Sequence, residues 1–366
     1  MLCPAEGDKG LMFRDYLYTL LIDEKRKEGI IEKGIKLLLF LLSGVYYLVL
    51  QIREICYFLG ILGTVRLPIK VISIGNITLG GTGKTPMVEF LAERLKRKGR
   101  KVGVLVQGYG EKGKGEDEEA RLLKELLSDI PVLAGKNRIK TGKEAIERYA
   151  VDTLILDDGF QYRCLDRDLD IVLIDATCPF ANGYLLPRGF LREPLKGLKR
   201  ADLLILTKIN LIEEDELVRL RKCLHRQFPS LPFLEAEYKP LFLIDLIKGD
   251  RKEIGSRYFE KVLIFSAIGN PQAFLRTVRT FSQVEKEFRF PDHYQFKSTD
   301  VKKIIDFCVS KQIKSVICTE KDAIKIKRFI PLFLSHSLSI FSLRMRMEIK
   351  RGREKLDAFI HSTITD

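Results

Sequence analysis

Short apolar runs alternate with amphipathic stretches along this chain, and the rhythm is that of strands joined by crossover helices. Val71 opens one such run, and Lys101–Val106 (KVGVLV), Val151–Leu156, Leu169–Asp175 (LDIVLID) and Leu203–Leu206 (LLIL) follow it. Each is continuous enough to be a parallel strand buried on both faces. Between them, Met87, Val88, Phe90, Leu91 and Leu95 recur at helical spacing, as do Leu122, Leu123, Leu126 and Leu127. After Leu211 the rhythm shifts. Glu213–Phe228 predicts a charged helix, Pro229 and Pro232 punctuate a linker, and Leu231–Ile247 has strand character. Val262–Ser266 and Val316–Cys318 belong to two further strand–helix units, and a last basic helix is expected over Ile349–Ile360.

One apolar run differs from the strands in length. Leu37–Leu50 is apolar apart from Ser43 and Gly44, with Lys25, Arg26, Lys27, Lys33 and Lys36 upstream. At ~1.5 Å per residue a helix over this run spans about 20 Å, short of the ~30 Å hydrocarbon core of a bilayer. A core helix, a full membrane span and an interfacial helix are the three readings. The basic flank suits anionic headgroups and favours the interfacial one, which makes a lipid substrate an expectation.

The candidate chemistry begins at Val71–Pro86, VISIGNITLGGTGKTP. A buried strand here runs into a glycine-rich turn and a helix opening at Gly83-Lys84-Thr85. Such a turn aims successive backbone N–H groups into one concavity at the positive end of a helix dipole, which suits polyphosphate. Against the pattern GxxxxGK[ST], Thr78 replaces the first glycine. Thr78, Leu79, Gly80, Gly81, Thr82, Gly83, Lys84 and Thr85 form the candidate nucleotide cradle, with Lys84 reaching the terminal phosphates and Thr85 holding Mg²⁺. Asp157 and Asp158 follow the third strand, in DDGFQ, where carboxylates of a phosphate-loop enzyme reach the same metal. Thr207-Lys208-Ile209-Asn210 lacks both outer residues of a guanine-selecting Asn-Lys-x-Asp, so GTP specificity has no support. Leu185–Pro194 carries Arg188 and Arg192, either as a solvated basic loop or as a fork for an anionic substrate group. His293, in FPDHYQF, is either structural or catalytic; His225, His336 and His361 sit in charged or terminal segments.

Composition narrows the partners. The net charge is +14, which implies an acidic surface, and no zinc knuckle, arginine-rich tail or aromatic-basic pattern favours nucleic acid. An anionic membrane is the better fit, and no protein partner is evident. The seven cysteines form no CxxC pair, as expected of reduced thiols in the cytosol.

With these pieces together the sequence resembles the lipid A 4'-kinases, the tetraacyldisaccharide 4'-kinases of Gram-negative bacteria. The resemblance runs through ISIGNITLGGTGKTP, Gly108-Tyr109-Gly110, Asp157–Gln161, Leu186–Pro194, Asp292-His293 and Thr319–Asp322 (TEKD). It implies ATP-dependent phosphorylation of the 4'-hydroxyl of a lipid A disaccharide 1-phosphate by a peripheral or monotopic protein on the cytoplasmic face of the inner membrane. It also implies that Asp117 pairs with His293 as the catalytic base beside Lys84. Glu118 is expected to join Thr85, Asp157 and Asp158 around the metal, with Asn76, Tyr109, Arg138, Gln161 and Arg192 facing the lipid. The chain departs from the family pattern at Gln107 (usually Arg), Glu119 (usually Pro), Tyr162 (usually His) and in a shortened Gly110–Asp117 loop.

The expected fold is α/β: a P-loop NTPase-like α/β/α sandwich, a second, smaller α/β domain and an N-terminal membrane-associated helix. Residues 1–65 form the membrane-associated segment, 66–230 the phosphate-loop domain, 231–333 the smaller domain with its linker strands, and 334–366 a strand and basic helix packing back on the first domain. A phosphate-loop kinase or ligase of a soluble metabolite, and a membrane-recruited nucleotide switch, are the alternatives.

Overall fold

The apolar run near the N-terminus lies inside a longer helix, α1 (Ile30–Phe58), of 29 residues. Lys36, Gln51, Arg53 and Glu54 are all competent helix formers, so the helix continues beyond the run that marks it. At ~1.5 Å per residue it measures about 43 Å. The whole helix is long and apolar enough to cross a membrane by length and composition, whereas the Leu37–Leu50 run taken alone is not. Leu37, Leu48 and Ile52 are 61%, 60% and 61% exposed, so most of its apolar surface faces outward.

The computed structural model describes residues 29–108, 118–255 and 259–365. They form two units, one comprising the described residues up to Gly63 with Ile77–Leu79 and Cys178–Leu198, the other the rest. In the first unit the 178–198 segment is tied to α1. The Arg188 N–H donates to Ser43 Oγ at 3.0 Å and the Tyr46 hydroxyl donates to the Arg192 carbonyl at 2.7 Å. Ile77–Leu79 pairs with the same segment, the Leu79 N–H donating to Phe190 O (2.7 Å) and the Arg192 N–H to Ile77 O (2.8 Å).

The second unit is built on one twelve-stranded sheet in the order β10-β9-β11-β12-β7-β6-β5-β1-β4-β2-β3, with β8 beside β7. Its first strands are β1 (Lys70–Gly75), β2 (Val102–Gln107), β3 (Val132–Gly135), β4 (Thr153–Asp157), β5 (Leu169–Asp175) and β6 (Leu203–Thr207). The later ones are β7 (Phe233–Asp245), β8 (Arg251–Glu253), β9 (Phe259–Ser266), β10 (Ser282–Arg289), β11 (Ser315–Thr319) and β12 (Ser339–Arg351). Neighbours are parallel except at β7/β12 and β7/β8, so two parallel sets meet along one antiparallel pair.

Helices cover both faces. On one, α2 (Lys84–Arg97) and α3 (Glu118–Leu126) bury Met87, Leu91 and Leu123. On the other, α4 (Arg138–Tyr149) packs Ala145 against Leu105 and Leu154. After α5 (Glu214–Gln227), the later strands carry α6 (Pro271–Arg279), α7 (Ser298–Ser310), α8 (Glu320–Ile326) and α9 (Ile330–Ser335), which build two further apolar clusters. The last helix, α10 (Arg353–Thr365), places Leu356 and Ile360 in the cluster of Met87 and Leu91.

Ile349–Arg351, expected to begin that helix, is instead the end of β12. Met347 and Ile349 alternate with exposed neighbours at the strand period, and Gly352 at φ +82° breaks the chain before the helix starts. β3 is an apolar VLAG of four residues, too short to show a period, and β10 is a charged SQVEKEFR.

Candidate active site

The phosphate loop is shaped by β1, whose residues are buried from Val71 onward, and by glycines that accept left-handed backbone, Gly80 at φ +113° and Gly83 at φ +95°. α2 begins immediately, at Lys84. Its ammonium lies 3.5 Å from Asn76 Oδ1 and 3.5 Å from Asp158 Oδ1. Asn76 is itself buried; its amide donates to Thr82 Oγ1 (3.0 Å), and its carbonyl accepts from Gln161 Nε2 (2.9 Å). Thr85 sits on the first turn beside Lys84.

The acid pair comes from the end of β4. Its approach to β1 is close: a Cβ on Gly75 would lie 2.5 Å from Phe160 Cβ, and one on Gly159 2.6 Å from Ser73 Oγ. Both glycines of this contact are required by space. Asp157 is buried, its Oδ1 has no hydrogen-bond partner, and its carboxyl is pushed up to about 7 by burial, then by Glu119 and Asp158, against Lys84 and Arg138. Among the described residues no group of three His, Cys, Asp or Glu side chains gathers as a metal cage. A buried, under-satisfied aspartate paired with a second one and a threonine hydroxyl nevertheless suits Mg²⁺, which takes one or two carboxylates and leaves its other positions to phosphate and water.

Arg138 is 1% exposed; its guanidinium donates to the Asp158 carbonyl (3.0 Å) and lies over the Tyr162 ring, while its N–H donates to Tyr162 Oη (3.0 Å). It orders the acid pair from behind. Tyr162 thereby anchors the start of α4.

Around His293 the site is denser in charge than the sequence suggested. Its Nδ1 lies 3.7 Å from Glu118, and its Nε2 lies 3.3 Å from the Lys321 ammonium and 3.9 Å from Asp292. Glu118 also receives Gln295 Nε2 and sits 3.0 Å from Lys325. The Glu118 carboxylate raises the imidazole pKa, against burial and Lys321. Glu119 lies 3.0 Å from Lys321. Burial works against its ionisation, yet Lys321 and Lys84 hold its carboxyl below the usual range. Glu118 thus faces His293, and the carboxylate that acts on Asp157 is Glu119. Asp117 and Tyr109 lie outside the described residues. Thr78, Leu79 and Arg192 belong to the other unit.

A brace lies beneath the loop, almost unmarked in the sequence. Lys208, in left-handed backbone after β6, donates to the Gly81 carbonyl (2.6 Å) and to Asp175. Thr207 Oγ1 donates to Thr82 O (2.8 Å), and Asn270 Nδ2 donates to Asp175 and Thr177 (2.9 Å each). A Cβ on Gly269 would lie 2.6 Å from Gly80 Cα, so the two backbones pack against each other. The brace's sequence signal is Thr207-Lys208-Ile209-Asn210, whose resemblance to a base-selecting loop masks the role of Lys208.

A strand, a glycine-rich loop opening a helix at Lys84, and an acid pair on the adjacent strand define a phosphate-loop phosphotransferase. The family model described as Tetraacyldisaccharide-1-P 4'-kinase matches residues 35–365, and the chain belongs to that family. The Tetraacyldisaccharide 4'-kinase of Halothermothrix orenii is 34% identical over 364 residues, covering 92% of this chain and 94% of that one. That of Syntrophus aciditrophicus is 36% identical over 345 residues, covering 87% and 91%. The crystal structure of LpxK from Aquifex aeolicus in complex with ATP aligns with a TM-score of 0.68 at 28% identity, over 90% of this chain and 99% of that one.

Proposed function

We propose that this chain transfers the γ-phosphoryl group of ATP to the 4'-hydroxyl of a tetraacyldisaccharide 1-phosphate. The observation that carries the reading is Lys84, poised between Asn76 and Asp158 at the head of α2, in the same unit as the His293–Glu118–Lys321 cluster. Lys84 neutralises β and γ oxygens, and the loop N–H groups from Gly80 to Thr85 hold the phosphates. Asp157, Asp158 and Thr85 would hold Mg²⁺, with Glu119 contributing negative charge nearby. A magnesium ion held by these residues would supply charge neutralisation for the phosphates.

His293, with Asp117 next to Glu118 in the chain, serves as base for the sugar hydroxyl, because an alcohol is a poor nucleophile while protonated. With Nδ1 turned to Glu118, Nε2 accepts the proton, and Lys321 beside it disfavours earlier protonation. Asn76, Gln161 and Tyr109 are assigned to the lipid in this reading, with Arg138 acting through Asp158. α1, the basic residues around it and the net charge of +14 support attachment to an anionic membrane, at the cytoplasmic face of the inner membrane.

Labelled ATP and detergent-dispersed tetraacyldisaccharide 1-phosphate test the activity. Label in the lipid, dependent on Mg²⁺, is the expected result. Slow hydrolysis without labelled lipid would instead mean a nucleotide switch, and transfer only to a water-soluble acceptor a different kinase. Flotation with anionic liposomes, with and without residues up to Gly63, tests the membrane reading; equal flotation of both would overturn it.

A further inference from the structure

The TEKD segment sits at the start of α8, and three of its residues have clear work: Thr319 caps the helix through Asp322, Asp322 accepts from the Ala267 N–H, and Lys321 meets His293 and Glu119. Glu320 points elsewhere. Its Oε1 accepts from Arg344 Nη1 on β12 at 2.7 Å, and the other arm of the same guanidinium, Nη2, donates to Glu89 on α2. One arginine therefore joins the helix that begins at Lys84 to the helix that begins next to Lys321. All three side chains are at least four-fifths covered, so this fork is shielded from solvent.

The partner strand β7 carries an extra residue, Leu241, at this contact. The β7/β12 register shifts between Arg344 and Met345, where Met345 faces Pro240. Proline has no N–H to give to the ladder, and a register irregularity of this kind re-aims the side chain beside it. The Met345 N–H turns to Glu320 Oε2 at 3.4 Å. Phosphoryl transfer requires Lys84 and the His293 cluster to be held at one spacing, since an error of about 1 Å can cost roughly a hundredfold in rate. Covalently, those groups are far apart in the chain.

We propose that Arg344 is a positioning residue for phosphoryl transfer, clamping Glu89 and Glu320 so that α2 and α8 present Lys84 and Lys321 to the reacting groups at a fixed separation. This rests on the kinase reading above. Arg344→Met should lower lipid-dependent kcat about tenfold or more while leaving the KM for ATP within about threefold. Arg344→Lys, which loses the two-armed fork, should recover only part of the rate.

Because Arg344→Met also strands two carboxylates, the triple variant Glu89→Gln/Arg344→Met/Glu320→Gln is measured beside it. It should regain the urea midpoint without regaining kcat. A triple variant that recovers rate and stability together, or an Arg344→Met enzyme within about twofold of wild-type kcat, would overturn the proposal. The His293 ring resonance is a readout independent of the acceptor. Among four histidines it alone should shift in Arg344→Met and in the triple variant. An unmoved His293 signal overturns the clamp even if no lipid is phosphorylated, and a shifted signal without lipid product counts against the kinase reading alone.

Discussion

Replacing Lys208 by methionine keeps the length and apolar stem of the side chain and removes its ammonium. Two bonds go: the one to Asp175, which is 6% exposed, and the one to the Gly81 carbonyl of the phosphate loop. Asp175 keeps the Thr177 N–H (3.0 Å), the Thr177 hydroxyl (2.6 Å) and Asn270 Nδ2 (2.9 Å), so its charge is not wholly abandoned. The cost therefore falls at the lower end for breaking a buried pair, about 3 kcal/mol. With an m-value of about 3 kcal/mol per molar, the urea midpoint at pH 7.5 should fall by about 1 M. The KM for ATP should rise because Gly81 loses its anchor.

The sign with pH follows from Asp175. Lys208, Thr177 and Asn270 hold its carboxyl below the usual range against burial, a stabilisation present above the unfolded pKa and lost as pH falls through the folded one. Without the ammonium, burial prevails and the carboxyl rises. The deficit of Lys208→Met should thus be largest at neutral pH and shrink toward pH ~5 as Asp175 protonates. Adding Asp175→Asn should return more than half of the loss. A midpoint change below about 0.3 M, or a deficit indifferent to Asp175→Asn, would refute the reasoning.

His293→Gln should lower kcat by about 10²- to 10⁴-fold with little change in ATP affinity, checked by steady-state kinetics and nucleotide titration; near wild-type turnover would rule it out as the base. Gly75→Ala forces a Cβ against Phe160, so about 1–3 kcal/mol of stability should be lost, along with activity as the acid pair shifts, read by thermal unfolding and label transfer. Burial pushes the Glu89 carboxyl up to about 7, against Arg344, so wild type loses stability as pH rises from about 5 to 8. Glu89→Gln removes that penalty. Its stability relative to wild type should climb over this window by on the order of 3 kcal/mol, and a difference flat with pH would refute the assignment.

The sequence alone settled what local chemistry dictates. Continuous apolar runs mark β1, β2, β4, β5 and β6 because strands buried on both faces have little polar choice. The loop from Asn76 to Thr85 and the acid pair are legible because phosphate demands glycine, lysine and carboxylate at fixed offsets along one piece of chain. β10 was hidden by its charges, the length of α1 by its polar ends, and the end of β12 by a basic composition that suits helix or exposed strand equally.

Only the tertiary structure decided which charges meet. Glu118 and Glu119 are neighbours in sequence on the first turn of α3, yet one turns to His293 and the other to Lys321. Lys208 and Asn270 meet at Asp175, and Arg344 meets Glu89 and Glu320, because the sheet order brings distant strand ends and helix starts together. Charge–charge distance is a property of packing across the fold, and no spacing along the chain encodes it.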